Sequence, residues 1–404
     1  MTMGSPRKKR VVFIVSRFPY PLEKGDKLRA FHQLRTLAKW HEVHLISLTE
    51  HKPDASGIAE VKKHAASLHI LPLPLLSMVW QVIRAWIKGL PLQVGYFYNC
   101  RHARKIKHIL AEIQPDHIYA QLIRTSEYVK HADYPKTLDY QDVFSTGALR
   151  QSRKARGWMR CVFRMESKRL KSYEAHIFPF FDHHSIISEP DRNLIPHHEN
   201  HQIHVIPNGV DTSYFEYDTS ILKDNDVLFT GNMAYPPNVD ACRFLVRDIM
   251  PIVWKTRPGT RLILAGAAPA PEVKALANSR VEVTGWLDDI RTAYARSRVF
   301  IAPMRIGTGL QNKLLEAMAM ELPCITTSLA AAALADNPDA ILAADTAEEL
   351  AQCILKLLAH PDEALRLGKR GREYVGRHYD WDATTKRLSA LMFPESVTSS
   401  DIDS

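Results

Sequence analysis

Residues 306–323 read IGTGLQNKLLEAMAMELP, a glycine-flanked loop that runs into a helix presenting the carboxylate of Glu316 within its first two turns. Gly307 and Gly309 allow the loop backbone to approach a ligand closely. The helix N-terminus favours an anion, and Lys313 places a formal positive charge one turn before Glu316. A phosphate and a hydroxyl-rich group could both be held here. The same segment also fits an ordinary amphipathic core helix, with Leu314, Leu315, Met318 and Ala319 buried and Glu316 complementing the helix dipole.

Outward from this segment, apolar runs at 227–230, 261–265, 281–284, 299–302 and 324–327 alternate with helical stretches, which predicts a Rossmann-like parallel α/β domain. Helical patterns follow at 347–359 and 361–378, then a last helix to about Met392 and a polar, acidic, disordered tail at 395–404. The amino-terminal half repeats the alternation: strand 11–16, long loop, helix 27–39, strand 42–48, and later strands at 117–120, 137–140 and 184–188. The turn Pro207-Asn208-Gly209 closes this half, so the expected domains are 1–210 and 211–380, with helix 381–394 a candidate to pack back on the first. No GxGxxG follows Ser16, which argues against a nicotinamide or flavin enzyme.

With 404 residues, 46% hydrophobic and 24% charged, the chain has the makeup of a globular enzyme with two cores. Five scattered cysteines form no CxxC pair, arguing against a disulfide framework or zinc site and for a reducing cytoplasm. The apolar run 11–15 is too short for a signal-peptide core or a membrane span. Charge is uneven. Residues 1–200 hold 32 Lys and Arg against 18 Asp and Glu, whereas the remainder holds 21 against 26. The basic half suits an anionic partner such as a lipid surface or a diphosphate-linked acceptor, and no nucleic-acid-binding pattern accompanies it.

In order along the chain, the loop PYPLEKGDKLR around Gly25, the segment IPNGVD at 206–211, Phe229-Thr230-Gly231-Asn232-Met233, Thr284-Gly285-Trp286-Leu287 and the 306–323 segment together resemble glycosyltransferase family 4. The resemblance implies a GT-B fold, two Rossmann-like domains facing a central cleft, and a retaining, metal-independent sugar transfer from a nucleotide-diphosphate sugar to a glycan or lipid-linked acceptor, with no other cofactor. It implies donor binding at Gly25, Gly231, Asn232, Trp286, Leu287, Gly307, Thr308, Gly309, Leu310 and Glu316, the last on the ribose hydroxyls. Two positions depart from the family pattern. Thr308 stands where members usually carry Glu, and Asn232 and Pro237 stand where they usually carry Arg and Lys for the diphosphate. The QNK before LLEAMAM and the run GNMAYPPN at 231–238 resemble a narrower group, the exopolysaccharide sugar transferases associated with PEP-CTERM/exosortase systems.

Lys313 and Arg305 are therefore the candidate cations for the leaving diphosphate, with the amides of residues 307–310 beside them. In the first domain the comparable loop, 120–124, lacks the functional histidine of many members, leaving Gln121 or Arg124 to act. Asp139 and Asp142 either contact the acceptor or stabilise a loop. No metal site is expected, and His183-His184 and His197-His198 read as solvated loop residues. Residues 71–90 are rich in Leu, Val, Ile and Trp, with Ser77, Gln81, Arg84 and Lys88 on one narrow stripe. Such a helix either lies in a membrane interface or packs as a mostly buried element; burial is the expectation, and an anionic membrane surface is the other candidate partner. A nucleotide-sugar 2-epimerase of the same fold and a non-catalytic nucleotide-sugar-binding protein are the alternatives to a transferase.

Overall fold

The strands expected from the apolar runs pair into two separate parallel sheets in a computed structural model that describes residues 7–22, 24–217, 220–306, 309–334 and 339–394. The chain divides into one unit of residues 1–207 with 384–404 and a second of residues 208–383.

The first unit holds β1 (Arg10–Val15), β2 (Glu42–Thr49), β3 (Ser67–Pro72), β4 (His117–Gln121), β5 (Lys136–Asp139), β6 (His183–Ile186) and β7 (His204–Val205). They lie in the order β3-β2-β1-β4-β5-β6-β7. The order reverses between β1 and β4, so the loops after these two strands diverge and leave a crevice at their carboxyl ends, where open α/β sheets bind ligands. Buried Val, Ile and Leu on both faces of β1 and β2 explain why these strands read as continuous apolar runs. β3, absent from the expected strands, is an edge strand whose residues are mostly half-buried, which left a weak pattern next to the Leu-rich stretch that follows. The helix Trp381–Met392 belongs partly here: Leu388, Leu391 and Met392 join the core of Val11, Phe13 and Leu45, and Ser389 Oγ lies 2.6 Å from His41 Nε2.

The helix Leu75–Ile87 overturns the expectation of burial. It meets the neighbouring helix Leu92–Phe97 through Met78, Gln81 and Ala85, and Gly95 makes the approach so close that a Cβ there would fall 2.3 Å from the Ala85 Cβ. Val79, Trp80, Ile83, Trp86 and Ile87 face outward. For Asp139 and Asp142 the structure favours the stabilising alternative. Asp139 is fully buried and paired with Arg29 of the helix Gly25–Trp40 (Nε to Oδ2, 2.8 Å), so it does not reach an acceptor; Asp142 accepts the Val143 amide at 2.7 Å at the start of the next helix.

The second unit contains β8 (Asn225–Thr230), β9 (Leu262–Ala265), β10 (Val281–Gly285), β11 (Ser297–Ala302), β12 (Cys324–Thr326) and β13 (Leu342–Ala343), ordered β10-β9-β8-β11-β12-β13. Its switch point lies between β8 and β11. The turns after β8 and β9 are packed tightly: a Cβ on Gly266 would fall 1.9 Å from the Gly231 carbonyl oxygen. Gly266 also holds φ at +144°. Gly266→Ala is expected to destabilise the protein by about 3 kcal/mol or more, because overlap with backbone cannot be relieved by a rotamer change. Urea denaturation with an unshifted midpoint would contradict this packing.

Candidate functional site

At the second unit's switch point, Gly231 follows β8, and the chain after β11 leads to the helix Asn312–Ala319. Leu314, Leu315, Ala317, Met318 and Ala319 are buried in the core, which fixes the helix roll and turns Lys313 and Glu316 to its other side. Gln311 at the N-cap supplies no side-chain hydrogen bond to the helix, so first-turn amides are left for other acceptors.

The Lys313 ammonium donates to Asn238 Oδ1 at 2.5 Å and lies 4.5 Å from the Phe229 ring centroid and 4.0 Å from the Met304 sulfur. A Cβ on Gly231 would sit 3.1 Å from the Lys313 Nζ and 2.6 Å from Asn238 Nδ2, so only glycine leaves space there. Asn238 Nδ2 in turn donates to the Asn232 carbonyl at 2.9 Å. Burial lowers the Lys313 pKa to about 8, against the opposing pull of Cys242 and Glu316. Burial also raises the Glu316 pKa, although Tyr294 and Lys313 act the other way. A cation and a carboxylate three residues apart are thus both held where their charged forms are poorly solvated, an arrangement that an anionic, hydroxyl-bearing ligand would relieve.

Glu316 is oriented by Tyr294, whose hydroxyl donates to Oε2 at 2.8 Å and lies 2.8 Å from Thr230 Oγ1. Sequence reading missed Tyr294. In the short helix Arg291–Ala295 it looks like one more core aromatic, and only the tertiary fold brings its hydroxyl to the carboxylate.

The other expected donor residues are distributed around this centre. Arg305 is engaged elsewhere, with Nε and Nη2 donating to the two Asp240 oxygens at 3.1 and 2.9 Å and its guanidinium 4.2 Å from the Phe244 ring centroid. Asn232 is exposed and its Oδ1 accepts the Ala234 amide. Gly309 accepts from Gln311 Nε2 at 2.9 Å, and Leu310 packs on the core. Gly307 and Thr308 lie outside the described residues. After β10, Gly285 has φ +72°, its carbonyl accepts the Gly266 amide at 3.2 Å, and the next residue, Trp286, presents an exposed ring while Leu287 packs on the core.

In the first unit, Gly25 opens the helix after the β1 loop, with open space where a Cβ would lie. Gln121 is buried at the end of β4 and donates to the Asp26 carbonyl at 3.1 Å. Arg124 donates to Gln93 at 2.8 Å and lies between the Phe97 and Phe144 rings, 4.9 and 4.7 Å from their centroids. Burial first, then the like charge of Arg17, lowers its pKa to about 10. Arg17 pairs with Asp26 at 2.9 Å and lies 3.6 Å from Glu50, which accepts from Tyr96 at 2.6 Å. Leu122, between Gln121 and Arg124, holds φ at +65°, a strained conformation of the kind that concentrates at functional loops.

Among the described residues, the ligand atoms of His197, His198 and Glu199 lie within 4.8 Å of one another. The His197 ring stacks on Phe178 at 4.0 Å and its Nδ1 accepts the Glu199 amide at 3.2 Å, so that nitrogen is already in use. No helix among the described residues is long and apolar enough to cross a membrane.

Two Rossmann-like units with this strand order define the GT-B architecture, and residues 224–360 match the family model described as Glycosyl transferases group 1. The matched segment contains Gly231, Asn238, Tyr294, Lys313 and Glu316; together with the fold it supports a glycosyltransferase. Among solved structures, the chain is similar to sucrose-phosphate synthase from Thermosynechococcus elongatus (TM-score 0.69, 16% identity, covering 95% of this chain and 98% of the other). It is also similar to HepE from Anabaena solved with UDP and glucose (TM-score 0.67, 14% identity, 94% and 98% covered). In sequence it is 24% identical over 343 residues, 79% of this chain and 83% of the relative, to an uncharacterized 44.6 kDa protein in the cps region of Klebsiella pneumoniae.

Proposed function

We propose that this protein is a hexosyl-type glycosyltransferase that moves a sugar from a nucleotide-diphosphate sugar to a glycan or lipid-linked acceptor, retaining anomeric configuration without a metal, in surface polysaccharide synthesis. The observation that carries the reading is the convergence of Gly231, Lys313 and the Tyr294-oriented Glu316 at one switch point. The bond between the anomeric carbon and the diphosphate oxygen breaks, the acceptor hydroxyl oxygen bonds to that carbon, and its proton passes to the released diphosphate. Lys313 and the amides of residues 309 and 310 stabilise the charge growing on the leaving group. Glu316 accepts from the ribose hydroxyls, and the exposed Trp286 ring offers a stacking face for the base. In the first unit, Gln121 and Arg124 are the candidate residues for handling the acceptor.

The similarity to a UDP-bound structure makes UDP-sugars the first donors to test, and the cps-region relative supports the polysaccharide role. The narrower likeness to exosortase-associated transferases, carried by residues 231–238 and 311–320, belongs to the same reading.

Glu316→Ala is expected to weaken nucleotide-diphosphate binding by about 1–3 kcal/mol, the scale of a lost hydrogen bond to a charged group. Calorimetry with UDP measures it, and unchanged affinity would remove Glu316 from the donor site. Product analysis by NMR tests the reaction itself: a new glycosidic bond of retained configuration is expected, whereas a free epimerised nucleotide-sugar would identify an epimerase.

A further inference from the structure

The helix Leu75–Ile87 is amphipathic with its apolar side turned outward. Leu75 is 74% exposed, Trp80 66% and Ile87 78%, and Val79, Ile83 and Trp86 continue the same face. Its inward contacts are made by Met78, Ala85 and the polar Gln81, which is only 6% exposed. Helices of globular proteins place polar groups the other way round. Six large apolar side chains on one surface helix make a contiguous patch of the kind that marks an interaction site.

The surroundings state what covers it. From residue 61 to residue 111 the chain contains no Asp or Glu but eight Lys and Arg, and from 143 to 165 none against six. Arg84 and Lys88 are exposed on the helix itself. The helix Trp158–His176 is tied to it by Arg169, which donates to the Trp86 carbonyl at 3.1 Å and lies 5.0 Å from the Trp86 ring centroid. That second helix exposes Trp158, Arg160, Arg164 and Lys168. Apolar and tryptophan side chains bordered by cations, with Glu166 of that helix buried and bound to the Leu92 and Gln93 amides, match the two layers of an anionic bilayer surface, acyl chains below and phosphate headgroups above. A second copy of the chain fits poorly, because apposing the same face would bring two cationic borders together.

We infer that the helix Leu75–Ile87 docks this protein on an anionic lipid bilayer, inserting Trp80, Ile83 and Ile87 among the acyl chains while Arg84, Lys88 and the Arg and Lys of residues 150–168 meet the headgroups. The helix, 13 residues long, lies in the interface and does not span it. None of these residues belongs to the donor site, so the inference stands apart from the transferase reading.

The test is co-sedimentation of the full chain with vesicles of equimolar phosphatidylglycerol and phosphatidylcholine. The wild type is expected to pellet with them, to lose most binding as ionic strength rises to physiological values and above, and to remain in solution with pure phosphatidylcholine. Trp80→Ser/Ile87→Ser should reduce the bound fraction at least about tenfold, since insertion of apolar groups supplies part of the affinity. Its melting temperature should be unchanged, because both side chains already face solvent. Quenching of tryptophan fluorescence by bromine-labelled lipid, smaller in Trp80→Phe, should report insertion. Failure to pellet with anionic vesicles at low salt, equal binding to neutral ones, or a double variant that unfolds would each overturn the inference. So would a wild-type dimer that Trp80→Ser/Ile87→Ser dissociates and that ignores vesicles, which would assign the face to a second copy.

Discussion

Lys313→Met is expected to lower turnover about 100- to 1,000-fold, the effect of removing one preorganised stabiliser of transition-state charge. It should leave thermal stability unchanged or raised. The two effects separate because burial already works against the ammonium, as its pKa of about 8 records, and a methionine fills similar space without a charge to desolvate. The pH dependence has a definite sign. The folded-state pKa lies below the unfolded value, so above pH 8 the unfolded chain binds the proton that the folded chain has released, and this group's contribution to stability rises with pH until the unfolded lysine also titrates, near 10.5. Lys313→Met should remove that rise. Nucleotide-diphosphate affinity moves oppositely, falling as pH passes 8, with proton uptake on binding because the anion favours the charged lysine. Calorimetry in buffers of different ionisation enthalpy measures the uptake. Turnover within tenfold of wild type would take Lys313 out of the reaction, and Arg305→Met would then be the variant to compare.

The largest stability effect is expected at Asp139. Asp139→Ala removes the carboxylate that pairs with the fully buried Arg29 guanidinium and accepts from Ser185 Oγ, at a cost of about 3–5 kcal/mol. The paired replacement Arg29→Met/Asp139→Leu should recover much of that loss, since neither charge then remains to be desolvated. Urea denaturation of both variants decides it. If the single variant loses less than about 1 kcal/mol, the pair is not buried as described and Asp139 returns as an acceptor ligand.

The two sheets were legible because parallel strands buried on both faces leave unbroken runs such as Val11 to Val15 and Phe300 to Ala302, a signal that needs no tertiary knowledge. β3, β7 and β13 escaped because edge strands of two to six half-exposed residues carry no such run. At the candidate site, Glu316 and Lys313 stood out because a glycine loop before a helix is a local pattern. Tyr294, Asn238 and Thr230 did not, since a buried tyrosine or asparagine looks the same in sequence whether its polar end meets a functional carboxylate or an ordinary backbone group. The same limit applied to charge. Arg305 and Lys313 are equivalent as letters near one loop, and only the fold pairs Arg305 with Asp240 while closing Lys313 in beside Gly231.

By itself, the sequence determined the α/β alternation and the helix that carries Lys313 and Glu316, because each depends on period and neighbours along the chain. Only the tertiary structure decided which side of the helix Leu75–Ile87 meets the protein and whether Asp139 is reachable. The amphipathic pattern of the helix Leu75–Ile87 separates an apolar side from a polar one but leaves open whether the apolar side meets the protein's own core or another surface, and an aspartate at a strand end is exposed or buried according to whether a distant arginine, here Arg29, is delivered to it by packing.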